Sequence, residues 1–153
     1  MKLSNYVSYE EAIASVRAKN LGIENKPSDL QLENMTRVAQ KIFDPVRERF
    51  GVRIGISSFF RSEALNKATP GSSNTSQHTT GEAMDIDAKI YGGVTNKEIF
   101  KFIKDNLNFD QLIYEFGDDT NPDWVHVSLK RDKNRKQVLR SKKVNGVTIY
   151  SNF

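Results

Sequence analysis

Two histidines and one aspartate are the residues of this chain whose types and spacing could do chemistry. His78 and Asp85 lie seven residues apart in a polar segment, and His126, the only other histidine, lies in the short apolar segment 124–128. Two imidazoles and one carboxylate are a ligand set for a zinc ion that leaves the fourth position to water, which is typical of catalytic zinc sites. These residues therefore predict a zinc hydrolase.

Strands are expected to carry these candidate ligands to one place. Residues 81–88 alternate so that Asp85 points into a cleft while its neighbours anchor in the core. Segments 109–116 and 124–130 are predicted to be two further strands that form a hairpin with a long polar loop. Both histidines then lie in segments that end at one rim of the sheet, and the small residue Gly81 allows a close backbone approach to the site.

Three capping boxes predict the helices that flank this sheet. They are Ser8 with Glu11, Ser28 with Gln31, and Thr95 with Glu98. Pro45 is expected to kink or restart the second helix, and Asn145-Gly146 predicts a hairpin near the end of the sequence. We therefore expect an α+β fold with a mostly antiparallel sheet, about three flanking helices and the zinc site at one rim of the sheet.

Length and composition predict one globular domain. The 153 residues are 37% hydrophobic and 27% charged, which suffices to bury a core without disulfides. We expect a single catalytic domain over residues 1–153, with an N-terminal helical part at about 8–50 and the sheet and site at about 51–150. Cysteine is absent, so any metal must be held by His, Asp or Glu.

Charge and hydropathy limit the expected partners and location. No segment approaches the ~20 apolar residues of a membrane span or the apolar region of a secretory signal, so we expect synthesis in the cytoplasm without a signal peptide. The net charge of +4 favours acidic partners. The basic segment 130–136 lacks interleaved aromatic residues, so no nucleic-acid partner is expected. It is interpreted as a solvated sheet edge, with attraction to an anionic cell wall as the functional alternative.

Two motifs together resemble the signature of the M15 zinc peptidases. They are Ser76-x-His78-x-x-Gly81-x-Ala83-x-Asp85 and the later Trp124-Val125-His126. This family includes D-Ala-D-Ala carboxypeptidases and dipeptidases, and phage endolysins that cut L-Ala-D-Glu bonds in peptidoglycan. Segments 58–61, 65–66 and 109–113 resemble its phage-type branch. The likeness covers roughly residues 8–150 in the correct order, which makes it more specific than any single motif.

The resemblance implies a zinc peptidase that acts on the peptidoglycan stem peptide. His78, Asp85 and His126 would bind one Zn²⁺, and the pKa of the water on that ion would fall toward ~7. The activity would be that of an endolysin-type L-Ala-D-Glu endopeptidase or a D,D-carboxypeptidase. We expect a monomer that acts on the cell wall, and the lack of a signal peptide fits a phage product that is released by lysis machinery.

Two carboxylates are candidates for the general base. Many M15 members have Glu three residues before the second His ligand, and Asp123 occupies that position here. Residues three apart on a regular strand face opposite sides, so Asp123 reaches the metal-bound water only if the strand begins irregularly after Pro122. Glu115 would share a face with His126 if the numbers of paired residues in the hairpin sum to an odd value. The resemblance favours Asp123 as the general base. The other carboxylate would then position a ligand imidazole or the loop.

Three residues are candidates for substrate binding. By resemblance Arg61, also a candidate catalytic residue, binds a stem-peptide carboxylate through two parallel hydrogen bonds, and the alternative is a salt bridge to an acid at the sheet edge. Ser76 is a candidate for a hydrogen bond to substrate or to a ligand, with a turn as the alternative. Trp124 either walls the cleft or packs in the core.

Two other functions fit part of the pattern. A non-catalytic virion or cell-wall-binding module would keep the ligands and bind zinc without cleaving peptidoglycan. A basic nucleic-acid binder would show a steeply salt-dependent affinity for DNA that is independent of zinc. A chelator distinguishes both from a peptidase, because only a peptidase would lose a peptidoglycan-cleaving activity when zinc is removed.

Overall fold

A computed structural model describes all 153 residues and has the α+β fold that the sequence predicts. Its strands are β1 (Gly55–Ser58), β2 (Ala83–Asp87), β3 (Gln111–Glu115), β4 (Trp124–Ser128), β5 (Gln137–Val144) and β6 (Val147–Asn152). They form one six-stranded sheet in the order β1-β2-β4-β3-β5-β6. Every neighbouring pair is antiparallel except β3 and β5, which are parallel. The expected mostly antiparallel sheet is confirmed, and the parallel pair was not predicted.

The helical segments outnumber the three that the capping boxes predict. They are α1 (Tyr9–Ile13), α2 (Val16–Leu21), α3 (Asp29–Val38), α4 (Asp44–Phe50), α5 (Glu63–Lys67) and α6 (Asn96–Asn106). The first predicted helix is divided because Ala14 takes extended backbone angles and Ser15 caps a second helix. A π-helical turn over Ala39–Phe43 connects α3 to α4 just before Pro45, where the kink was expected. None of the helices combines the length and the apolar content needed to cross a bilayer.

Helices α1, α3, α4 and α6 cover one face of the sheet. A cluster of 24 buried apolar residues joins them to strand residues such as Met84, Leu112 and Val125. Because side chains alternate along a strand, their neighbours in sequence face the other side. Asp85 and His126 are two of these neighbours. The candidate metal ligands of the strands therefore lie on the face of the sheet that is opposite the helical core.

Two hairpins complete the sheet, and both follow the sequence prediction. The pairing of β3 with β4 joins Ile113 to His126. The turn between β5 and β6 has positive φ angles at Asn145 (51°) and Gly146 (78°). Two successive left-handed residues are typical of the two-residue turn that Asn-Gly favours. The second hairpin is attached to the sheet through the parallel pairing of β5 with β3.

Candidate metal centre

His78, Asp85 and His126 lie together at one point of the sheet. One ligand atom from each lies within 4.8 Å of the other two. Oδ1 of Asp85 is 3.3 Å from Nε2 of His78 and 3.0 Å from Nδ1 of His126. The last two residues meet because Asp85 pairs directly with His126 across β2 and β4. The structure thus brings together the three side chains that the sequence singled out, in a group that could hold a metal ion.

A backbone carbonyl orients the imidazole of His78. Nδ1 of the buried His78 ring lies 2.6 Å from the carbonyl oxygen of Phe59, which can only accept a hydrogen bond. Nδ1 therefore carries the proton, and the lone pair of Nε2 faces Asp85. This tautomer leaves Nε2 free to bind a metal, as in metal sites where a carbonyl sets the orientation of a histidine ligand.

The segment that carries His78 is docked on helix α3. Amide groups of Gln31 and Asn34 donate hydrogen bonds to the carbonyls of Thr79 and Thr80. Gly81 has a φ of +78°, and a Cβ built there would lie 2.5 Å from the carbonyl oxygen of Gln31. The lack of a side chain at Gly81 is therefore required by the contact with α3, so the close backbone approach is to this helix and not, as expected, to the site itself.

The ionisation states of the ligands suit metal binding. Burial lowers the pKa of His78, and the charge of Asp85 opposes this only in part. Burial by itself would raise the pKa of Asp85, but positive charge on the neighbouring imidazoles and the hydrogen bond with His126 hold it well below its usual value. At neutral pH the imidazole of His78 is thus neutral and Asp85 is ionised, which are the forms that bind a metal.

A cleft of about 1220 Å³ contains this group. All three candidate ligands contribute to its walls, together with four of the other residues singled out in the sequence. These four are Arg61, Ser76, Glu115 and Trp124. The candidate metal position is therefore accessible from solvent and has polar groups around it, which is typical of a binding site for a small ligand or a peptide.

The two candidate bases lie in different surroundings. Glu115 is buried and lines the cleft, and it shares the face of His126 because the paired residue numbers of the hairpin sum to an odd value. Asp123 lies just before β4, and its half-exposed carboxylate is 3.6 Å from Nζ of Lys89. Asp123 lines a separate cleft of about 720 Å³. Of the two, only Glu115 lies in the cleft of the metal ligands.

The environment of Glu115 favours the protonated carboxyl group. Burial raises its pKa, while a hydrogen bond from the Ser141 hydroxyl and the charge of His126 oppose the change. A carboxyl group with a raised pKa holds a proton more readily than an ordinary one, which suits a group that accepts a proton during catalysis. Ser141 comes from β5, so this interaction depends on the parallel pairing that the sequence did not predict.

Arg61 lies close to the metal ligands. Its backbone N–H donates to the carbonyl of His78 at 3.2 Å, and its Nε is buried without a hydrogen-bond partner. Burial lowers the pKa of the guanidinium, and the charge of Asp85 opposes this change. Arg61 also lines the cleft, so its guanidinium has hydrogen-bonding capacity that the protein itself does not use.

Ser76 and Trp124 have structural contacts as well as positions on the cleft. The hydroxyl of Ser76 accepts a hydrogen bond from the backbone N–H of His78 at 3.3 Å, which is the turn named as its alternative role. Trp124 is half-buried and packs on Phe116 with ring centroids 5.4 Å apart. Its partner Phe116 also lines the cleft.

Sequence reasoning missed Asp110, which anchors the ligand segment. Its fully buried carboxylate accepts hydrogen bonds from Nε2 of Gln77 at 3.0 Å and from Nη2 of Arg135 at 2.7 Å. Gln77 directly precedes His78, so Asp110 connects the ligand segment to the start of β3. These partners lie 33 and 25 residues away in sequence, and no local pattern indicates such contacts.

Comparison with known proteins finds a family match. The model of the family described as Peptidase M15 matches residues 5–128. This segment contains the three candidate ligands and both candidate bases, and it ends with β4. No curated protein matches the sequence.

Proposed function

This chain belongs to the M15 peptidase family, and from that premise we propose that it is a zinc peptidase that hydrolyses peptide bonds in peptidoglycan stem peptides. The observation that carries the proposal is the convergence of His78, Asp85 and His126 in an accessible cleft. Three ligands from the protein leave a position open for water or substrate, which a structural zinc site does not.

The donor set fits zinc. Imidazole nitrogen and carboxylate oxygen are ligands that zinc accepts. The chain has no cysteine, so no thiolate is present to favour a softer metal such as Cu(I). His78 and Asp85 already have the required ionisation states, and the Phe59 carbonyl directs Nε2 of His78 toward the group. A zinc ion held by these residues would polarise the substrate carbonyl and lower the pKa of a bound water.

The residues around the ligands would bind the substrate and move the proton. Either Glu115, within the cleft, or Asp123, at the position favoured by the resemblance, would accept the proton of the attacking water and pass it to the leaving amine. Arg61 would bind a carboxylate of the stem peptide through its guanidinium group, since the residue lines the cleft. The proton thus leaves water, and the amine of the cleaved bond receives it.

The extent of the cleft favours an endopeptidase over a D,D-carboxypeptidase. It is lined on one side by Ser57 and Ser58 of β1 and on the other by Thr148 and Tyr150 of β6. The ligand-bearing strands β2 and β4 lie between these sides in the sheet order. Substrate residues would therefore have wall contacts on both sides of the scissile bond, as cleavage of an internal L-Ala-D-Glu bond requires.

Digestion of purified peptidoglycan, followed by mass spectrometry with and without a chelator, tests the proposal. We expect new L-Ala carboxyl termini and D-Glu amino termini in the zinc-loaded sample alone. Release of free D-Ala would assign a D,D-carboxypeptidase. Full zinc occupancy without any new termini would overturn the proposal that the chain is an enzyme, and it would favour the non-catalytic wall-binding module. Salt-dependent DNA affinity that survives chelation would favour a nucleic-acid binder.

A further inference from the structure

The hairpin β5–β6 lies beyond the segment that matches the family model, which ends at residue 128. It is nevertheless part of the cleft that contains the metal ligands. Its contributing residues are Gln137, Leu139, Lys143, Thr148 and Tyr150. This wall is therefore supplied by a part of the chain to which the family match assigns no role.

The strand register directs Tyr150 of this hairpin to the face of the metal ligands. Tyr150 pairs with Ser141, and Ser141 pairs with Glu115. Glu115 lies on the same face as His126, and residues paired across a sheet share a face. Tyr150, Ser141 and Glu115 thus form one row that crosses the sheet next to the metal ligands.

The phenol of Tyr150 is an accessible hydrogen-bond donor in this cleft. Tyr150 is 52% exposed, so a ligand in the cleft can reach it. Burial of part of the ring raises the pKa of its hydroxyl, and the carboxylates of Glu115 and Asp85 raise it further. The hydroxyl therefore stays protonated at neutral pH and can donate to an oxygen of a ligand.

The charged groups on the same walls favour a ligand that bears carboxylates. Arg17, Arg61 and Lys143 line the cleft without an ion-pair partner, whereas Arg135 is paired with Asp110, and only two carboxylates, Asp85 and Glu115, lie on the same walls. Asp85 is a candidate metal ligand, so its charge would be offset by the ion. The remaining excess of positive charge attracts an acidic peptide.

We propose that Tyr150 is a substrate-positioning residue whose hydroxyl donates a hydrogen bond to an acceptor oxygen of an acidic peptide that lies across the cleft. The β5–β6 hairpin then determines part of the specificity of the enzyme. This inference rests on the proposed peptidase function, because it takes the cleft to be the peptide site.

The variant Tyr150→Phe removes the hydroxyl and keeps the ring. We expect KM for a synthetic stem peptide to rise roughly 3- to 10-fold, with a smaller change in kcat, because a hydrogen bond made in the bound substrate is lost. Tyr91→Phe is the matched control, because Tyr91 is 47% exposed and does not line the cleft. Equal melting temperatures of the two variants exclude a folding effect. Unchanged KM and kcat in Tyr150→Phe would overturn the proposal.

A second readout does not depend on catalysis. Incorporation of 3-fluorotyrosine gives five ¹⁹F resonances, one for each tyrosine of the chain, and Tyr150→Phe assigns one of them. Titration of the zinc-loaded protein with the stem peptide, or with its products if it is cleaved, should shift the Tyr150 resonance and leave that of Tyr91 in place. A shift without cleavage would support the peptide contact and refute the peptidase. Cleavage without a shift would support the peptidase and refute the contact with Tyr150. The absence of both cleavage and shift would overturn both proposals.

Discussion

The side chains of Glu115 and His126 lie on the same face of the sheet, because Glu115 pairs with Trp124 and Trp124 lies two residues before His126. Asp123, which directly precedes Trp124, lies outside the cleft that contains the metal ligands, and its carboxylate is near Lys89. Geometry therefore favours Glu115 as the general base, whereas the resemblance to the family favours Asp123. The two assignments differ in what substitution would do.

We expect only one of the variants Glu115→Gln and Asp123→Asn to lose about 10²- to 10⁴-fold in kcat, since one group transfers the proton. Steady-state kinetics on peptidoglycan fragments, with zinc content measured in parallel, identifies that group. Zinc content should stay unchanged in both variants, because neither residue is a candidate ligand. A large loss in Asp123→Asn would mean that Asp123 leaves Lys89 when substrate binds. Full activity in both variants would exclude both residues.

Removal of the metal should abolish hydrolysis and lower the melting temperature, because an ion that binds only the folded state stabilises it. The variant Asp85→Asn should weaken zinc affinity by more than about 100-fold, as measured by competition with a chromogenic chelator. Asp87→Asn is the matched control, because the Asp87 carboxylate, two residues along the same strand, accepts hydrogen bonds from Asn96 and Lys89 instead. Wild-type zinc affinity in Asp85→Asn would contradict the ligand assignment.

The variant Arg61→Lys should raise KM about 10-fold for a stem peptide with a free carboxylate. Lysine keeps the charge but cannot form two parallel hydrogen bonds to a carboxylate. The control is Arg17→Lys, because Arg17 lines the same cleft but its guanidinium donates to the exposed carbonyl of Ala68. Equal KM values for the two variants would show that Arg61 has no special role in binding.

Stability should fall in acid as Asp110 becomes protonated. Burial by itself would raise the pKa of Asp110, but hydrogen bonds from Arg135 and Gln77 lower it to about 2. Because the folded-state pKa lies below the unfolded value of about 3.9, this contribution is present above pH ~4 and is lost as the pH falls toward ~2. Its size is on the order of 2 kcal/mol.

Urea unfolding of Asp110→Asn at pH 7 and pH 3 checks this contribution. The variant should be less stable than wild type at pH 7, and the difference should shrink at pH 3. Asp105→Asn is the control, because Asp105 forms an exposed helical pair with Lys101 and such pairs contribute little. A stability difference that is the same at both pH values would contradict the role of the Asp110 charge.

Much of the fold follows from local signals. The capping boxes at Ser28 and Thr95 form as predicted, with reciprocal hydrogen bonds from Gln31 and Glu98. The turn at Asn145 forms as well, because left-handed backbone angles depend on the residues of the turn itself. The alternation in β2 correctly separates Asp85 from the core, since one side of this strand is apolar.

The sequence by itself determined which side chains could bind a metal and which segments carry them, because residue type and short-range periodicity are local properties. Only the tertiary structure decided that β5 joins β3 in parallel, that Asp110 anchors the segment of His78, and that Glu115 lies on the face of His126. Register and strand order depend on contacts between residues far apart in the chain. A shift of one residue in the β3–β4 register would have turned Glu115 to the helical side of the sheet.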